Sequence, residues 1–196
     1  MSTPLPHRPA YRHLLSTLVI GGAFILGLWW AAQWAWRQPF MAPTRERVEI
    51  TRMPVPTEQP VPVQGVQARR IADTFGAPRG RDRTHAGVDI FAKRGTPVLS
   101  ATRGLVLSVR ESGLGGRQVW VLGPGLERHY YAHLDDWATG LVEGAVVRPG
   151  DVLGVVGDTG NARGTPPHLH YGVYGAQGAI DPLPRLRAVR TEPTAP

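Results

Sequence analysis

The 196-residue chain has a formal net charge of +7, 42% hydrophobic and 19% charged residues, and an abundance of glycine (24) and proline (19). At about 100–200 residues per domain this allows one folded domain with appendages, rich in turns and short strands. Cysteine is absent, which excludes a disulfide scaffold, a cysteine nucleophile, a thiolate metal site and a lipidated N-terminal cysteine.

All the basic side chains but Lys93 are arginines, and those of the C-terminal two-thirds are scattered, as at Arg69, Arg79, Arg103 and Arg117. No helix-turn-helix spacing, zinc-finger cysteines or RNA-binding aromatic motif accompanies them. The charge is therefore read as suiting an acidic surface, with no nucleic acid as partner.

Residues 1–13 form a short tail containing Arg8 and Arg12. From Leu14 to Trp36 no residue carries a formal charge, and Trp29, Trp30, Trp34 and Trp36 crowd the far end. A helix over 14–36 would be about 35 Å long, enough for a hydrocarbon core of about 30 Å, with the tryptophans as an interfacial belt. The competing reading is a cleaved signal peptide; the tryptophans and Gln33 interrupt the place where a small-x-small cleavage pair belongs. The expectation is a single-pass anchor in the inner membrane with a cytoplasmic N-terminus and the rest periplasmic or external. Charge counting across the span is close to even, because Arg37, Arg45, Arg47 and Arg52 lie beyond it.

Residues 37–64 contain Pro39, Pro43, Pro54, Pro56, Pro60 and Pro62 and little apolar periodicity. They read as a semi-rigid polyproline-like spacer, in which the 25 residues from Phe40 to Gln64 would reach about 80 Å if extended at about 3.1 Å per residue. Residues 65–185 carry the core, and 186–196 read as a disordered tail. Within 65–185 the runs TPVLSA, GLVLSVR, QVWVL, RHYYAHL, DVLGVVG and HLHYGVY are short, β-branched or aromatic, and bounded by Gly, Pro or Asp. With no long amphipathic helix between them, the fold class is all-β: an antiparallel sandwich or curled sheet.

Five of the seven histidines fall in this domain, in three clusters. In His85-Ala86-Gly87-Val88-Asp89 an extended backbone would put His85 and Asp89 on one face, half of a zinc site. Taken alone, that cluster reads more readily as a turn histidine beside an aspartate that caps backbone groups. In His168-Leu169-His170 the period of two puts both imidazoles on one face, with Leu169, Tyr171 and Val173 on the other. In the run around Tyr131-Ala132-His133-Leu134, alternation puts His129, Tyr131 and His133 together.

HAGVD, YAHL and GTPPHLHYGV, in that order, resemble the lysostaphin-type peptidoglycan endopeptidases, the M23 metallopeptidases. The resemblance covers about residues 70–180 and includes FGAPR at 75–79, HAGVDIFAKRGTPVLSA at 85–101 and EGAVVRPGDVLGVVGDTGNA at 143–162. It implies a groove over a sheet that binds one Zn2+ per chain through His85, Asp89 and His170. His133 and His168 would be the two catalytic, non-ligand histidines, and peptidoglycan peptides would be the substrate. An open fourth position on such a zinc lets water bind with a pKa near 7. With no Glu beside HxH as in HExxH enzymes, the histidines would handle the proton and the oxyanion. The chain departs from the pattern after HxH, where Gly172 and Val173 follow Tyr171 in place of an acidic residue. Protein regulators of the site are compatible with the sequence but not named by it. Two other classes compete: a non-catalytic wall-binding module, disfavoured by the complete five-residue set, and a histidine phosphocarrier, disfavoured by Asp89 and the anchor.

Overall fold

The structure, a computed structural model, describes residues 11–188; Arg8, His7 and most of the expected tail over 1–13, like residues 189–196, lie outside it. The chain divides into two compact units, Met1–Glu46 and Arg47–Pro196. The first is dominated by helix α1 (Tyr11–Arg37), whose stretch Thr17–Arg37 is long and apolar enough to cross a membrane and contains no buried residue.

Helix α2 (Ala42–Arg52) occupies part of the expected spacer. Counting prolines over 37–64 concealed the proline-free run Thr44–Met53, which is rich in Arg and Glu and can form a helix between Pro43 in its first turn and Pro54 beyond its end. Ile50 on this helix is fully buried. The rest of the spacer is not a free tether either. The Leu99 amide donates to Pro62 O and the Gln64 amide to Pro97 O, both at 3.0 Å, and Val63 is 1% exposed. The folded unit thus begins well before residue 65. At the other end, Leu183–Ala188 form helix α3 with Leu186 fully buried, so the expected disordered tail cannot start at 186. Arg185 clamps the helix to Glu127 with hydrogen bonds of 2.6 and 3.0 Å.

Among the described residues, nine antiparallel strands form one sheet: β1 (Val88–Phe91), β2 (Pro97–Leu99), β3 (Gly104–Ser112), β4 (Gly116–Leu122), β5 (Arg128–Trp137), β6 (Val146–Val147), β7 (Val152–Val156), β8 (His168–Gly175) and β9 (Gly178–Ile180). Its main path runs β1-β8-β5-β4-β3-β6; β2 pairs with β7, which also pairs with β5, and β9 pairs with β8. The alternation in β8 shows why the pattern folds this way. Leu169, Tyr171 and Val173 are fully buried in the core with Tyr131 and Val119. Each such side chain contributes about 1.5–3 kcal/mol by leaving water. The intervening His168 and His170 are thereby fixed on the opposite face.

In β5 the alternation breaks. The register places Tyr131 opposite Val119 and Leu134 opposite Arg117, so Ala132 and His133 together face the single residue Gln118. This is a β-bulge, and His133 within it has a left-handed backbone, φ 64°. His129 and Tyr131 point into the core, both fully buried. His133 does not join them, contrary to the period-two expectation. The extra residue turns it to the face that carries His168 and His170.

Candidate metal centre

The β1–β8 ladder sets Asp89 directly opposite His170 and Phe91 opposite His168. His85 enters from the segment just before β1, whose path is fixed by Gly87. A Cβ at that position would lie 2.4 Å from Tyr171 O and 3.0 Å from the His170 ring. Only glycine lets the His85 segment approach β8 this closely.

Three atoms that could ligate a metal converge as a result. His85 Nε2 is 2.8 Å from His170 Nδ1 and 3.0 Å from Asp89 Oδ1, and His170 Nδ1 is 3.1 Å from the same oxygen. A tetrahedral zinc with bonds of about 2.0–2.1 Å would hold its ligands about 3.3 Å apart, close to this triangle. The protonation chemistry favours a cation as well. His85 Nδ1 donates to Thr74 O at 2.7 Å, which leaves the Nε2 of a neutral ring as a bare lone pair. One proton on His170 Nδ1 can serve only one of its two neighbours. At least two acceptors then face each other in a buried site, a conflict that a metal ion resolves. The two nitrogens and one carboxylate oxygen are a donor set suited to Zn2+.

The Asp89 carboxylate is held from its other side by Arg79, which donates to Oδ2, while the Asp89 amide donates to Thr74 Oγ1 at 3.2 Å. Burial alone would raise the carboxyl pKa. Hydrogen bonding to His170 and His85 and the charge of both rings outweigh it and hold the group far below the ordinary carboxylate range. For His170 burial dominates and pushes the pKa down against the opposing pull of Asp89.

His133 and His168 stand beside this triangle, their ring centroids 5.1 Å apart. Each uses Nδ1–H on a backbone carbonyl: His133 on Thr159 O at 2.9 Å, His168 on Pro166 O at 2.8 Å. The carbonyl fixes the tautomer and leaves each Nε2 as an acceptor. Burial lowers the His133 pKa to about 4, partly opposed by the Thr159 carbonyl and reinforced by His168 and His170. Thr159 is itself pinned, its hydroxyl donating to Leu134 O and accepting from the Arg117 amide, at 2.9 and 3.0 Å. Gly116, at φ 61°, permits that contact, since a Cβ there would lie 2.3–2.5 Å from the backbone of Gly160 and Thr159.

All five residues singled out from the sequence, His85, Asp89, His133, His168 and His170, line one groove of about 320 Å3. Sequence reasoning missed Thr74, Thr159 and Tyr130. Arg79 was present in the quoted FGAPR run, but nothing in that run announced a contact with Asp89. No acidic residue directly follows HxH; the His170 ring instead has the Tyr130 ring edge-on at 5.7 Å, and a Cβ on Gly87 would lie 3.0 Å from it. His129, the fifth histidine of the domain, lies in the core with Nδ1 2.8 Å from the Tyr171 hydroxyl.

The model of peptidase family M23 matches residues 83–182. The chain is 39% identical over 140 residues to the L-Ala–D-Glu endopeptidase of Bacillus subtilis strain 168, covering 66% of this chain and 42% of that protein. It is 33% identical over 110 residues to lysostaphin of Staphylococcus simulans, covering 53% and 22%. The chain thus spans less than half the length of these curated relatives. The lysostaphin catalytic domain superposes with a TM-score of 0.54 at 31% identity, over 60% of this chain and 92% of that one. A putative peptidase M23 from Pseudomonas aeruginosa gives 0.56 at 26% identity, over 76% and 60%. The antiparallel domain has the lysostaphin M23 fold.

Proposed function

The chain belongs to peptidase family M23, and we propose that it is a zinc-dependent endopeptidase that hydrolyses peptide bonds in peptidoglycan stem peptides or crosslinks. The observation that carries this reading is the convergence of His85 Nε2, Asp89 Oδ1 and His170 Nδ1 within 2.8–3.1 Å, in the groove lined by His133 and His168. His85, Asp89 and His170 would hold the ion, one per chain. Bound there, zinc supplies Lewis acidity towards a carbonyl oxygen and acidifies water.

The protein's own groups supply the rest. His133 and His168 are the catalytic histidines: each has Nδ1 anchored on a backbone carbonyl, which turns Nε2 towards the groove as the free ring nitrogen. Either can take a proton from water, and its imidazolium can then stabilise a developing oxyanion or return the proton to the leaving amine. A His133 pKa near 4 keeps that ring neutral and ready to accept at neutral pH. Arg79 holds Asp89 so that Oδ1 faces the two imidazoles.

Helix α1 serves as a single-pass inner-membrane anchor, with the N-terminus cytoplasmic and the domain periplasmic or external, where peptidoglycan is found. The deciding experiment incubates the 196-residue chain with purified sacculi, with and without chelator. Release of soluble muropeptides that stops on chelation and returns with Zn2+ is expected. Digestion that persists after verified metal removal would refute the assignment.

A further inference from the structure

A second cavity, of about 220 Å3, is lined by Leu107, Ser108, Arg110, Trp120 and Arg128. The register puts it on the same sheet face as the metal centre. Ser108 pairs with Trp120 across β3–β4, Trp120 with Tyr130 across β4–β5, and Tyr130 with Gly172 across β5–β8, one row along from Ala132 and His170. An aromatic path joins the two sites: Tyr130 meets the His170 ring at 5.7 Å and stacks on Trp120 at 4.3 Å.

Every polar side chain around this cavity can donate, and no carboxylate or amide carbonyl lines it. The Arg128 guanidinium lies 5.9 Å from the Trp120 ring centroid, over its face. Neither Arg110 nor Arg128 has an acidic partner among the described residues, whereas Arg79, Arg94, Arg103, Arg117 and Arg185 all do. Ser108 Oγ and Trp120 Nε1 are buried and lack a hydrogen-bond partner. A buried donor without a partner is costly, and an acceptor entering the cavity would satisfy both. Two guanidiniums, an indole N–H and a hydroxyl around a cavity of this size match a carboxylate better than a neutral group.

We propose that this cavity is an anchoring subsite for a free carboxylate on the peptide substrate, at a distance from the scissile bond spanned by Tyr130 and Trp120. The proposal rests on the peptidase reading for the identity of the peptide. Arg110 and Arg128, which reach out from β3 and β5, part to admit the carboxylate and close on it as charge-assisted donors. Trp120 Nε1 and Ser108 Oγ donate from the floor. Tyr130 and Trp120 give the intervening chain a flat apolar track. The subsite fixes which bond lies over the metal centre by holding the substrate at a second point.

The test measures binding with cleavage switched off. The 196-residue chain, in mild detergent and chelator, is co-sedimented with native sacculi and with sacculi whose carboxylates have been converted to carboxamides. Arg110→Gln/Arg128→Gln should bind native sacculi at least tenfold more weakly than the parent. Arg69→Gln/Arg70→Gln, which removes the same charge elsewhere, should stay within about twofold. Amidation should weaken the parent at least tenfold and leave Arg110→Gln/Arg128→Gln nearly unchanged. Equal weakening by the two charge-matched variants, or parent binding indifferent to amidation, would overturn the subsite. Digestion by the zinc-loaded parent is scored separately: carboxylate-dependent binding without digestion would refute the peptidase reading and leave the subsite standing.

Discussion

Asp89 and His170 face each other across the β1–β8 ladder, with Oδ1 and Nδ1 3.1 Å apart, while His133, from the bulge in β5, approaches the same ring edge-on at 5.9 Å. The first contact is between proposed ligands; the second is between a proposed ligand and a proposed proton carrier. His170→Ala should therefore greatly weaken zinc binding. His133→Ala should keep near-stoichiometric zinc and a normal fold while losing activity by at least about 10²-fold, the usual cost of a missing acid–base group or oxyanion donor. His168→Ala should resemble His133→Ala. Metal analysis paired with muropeptide release on each purified variant checks this. Zinc retained by His170→Ala and lost by His133→Ala would reverse the roles.

Gly87→Ala should damage the metal centre without touching a ligand. The new methyl would sit 2.4 Å from Tyr171 O, a backbone atom of a paired strand that cannot easily retreat. Overpacking of this kind costs about 1–3 kcal/mol, and here the strain is relieved by moving the His85 segment away from β8. Zinc affinity measured by competition with a chromophoric chelator should fall at least tenfold. An unchanged affinity would show that the close approach is not what sets the triangle.

Acid should destabilise the fold through His129 independently of the metal. Burial lowers its pKa to about 4, with Glu127 opposing and Arg185 adding to the shift. The unfolded chain takes up this proton near pH 6.5, whereas the folded one refuses it until about pH 4. Stability is thus fully present above 6.5 and falls across that window, by about 3 kcal/mol for this group. In chelator, urea midpoints of the parent should drop between pH 7 and 4.5, and those of His129→Gln should drop less. Parallel profiles would remove His129 as the cause.

Orientation is open to a direct test. A phosphatase reporter fused after Pro196 should be active in cells, because the proposed substrate is absent from the cytoplasm. Activity of a cytoplasm-only reporter at the same place would overturn both the topology and the function built on it.

The strands and the His168–His170 pair were legible because both depend on a period of two that the sequence displays locally. His85 and Asp89 were legible as a pair, but only the β1–β8 register shows that His170 lies opposite Asp89. His133 was assigned to the wrong face: a bulge is a property of two paired strands, and nothing within RHYYAHL marks where β4 falls one residue short. Arg79, Thr74 and Thr159 act through contacts that form only once distant segments meet. The spacer was misread for a different reason, since counting prolines averaged over a ten-residue gap that was long enough for a helix.

The left-handed backbone at His133 sets the proposed chemistry against thermodynamic robustness. A non-glycine residue in that conformation costs about 1–2 kcal/mol, and a substituent that tolerates it at no cost would be welcomed by the fold. His133→Gly should accordingly be among the few changes in the β5 core that leave melting temperature unchanged or raised, even as turnover disappears. A screen that selects variants of this protein for heat resistance alone would drift towards inert, well-folded molecules at this position, so it must score hydrolysis in the same round.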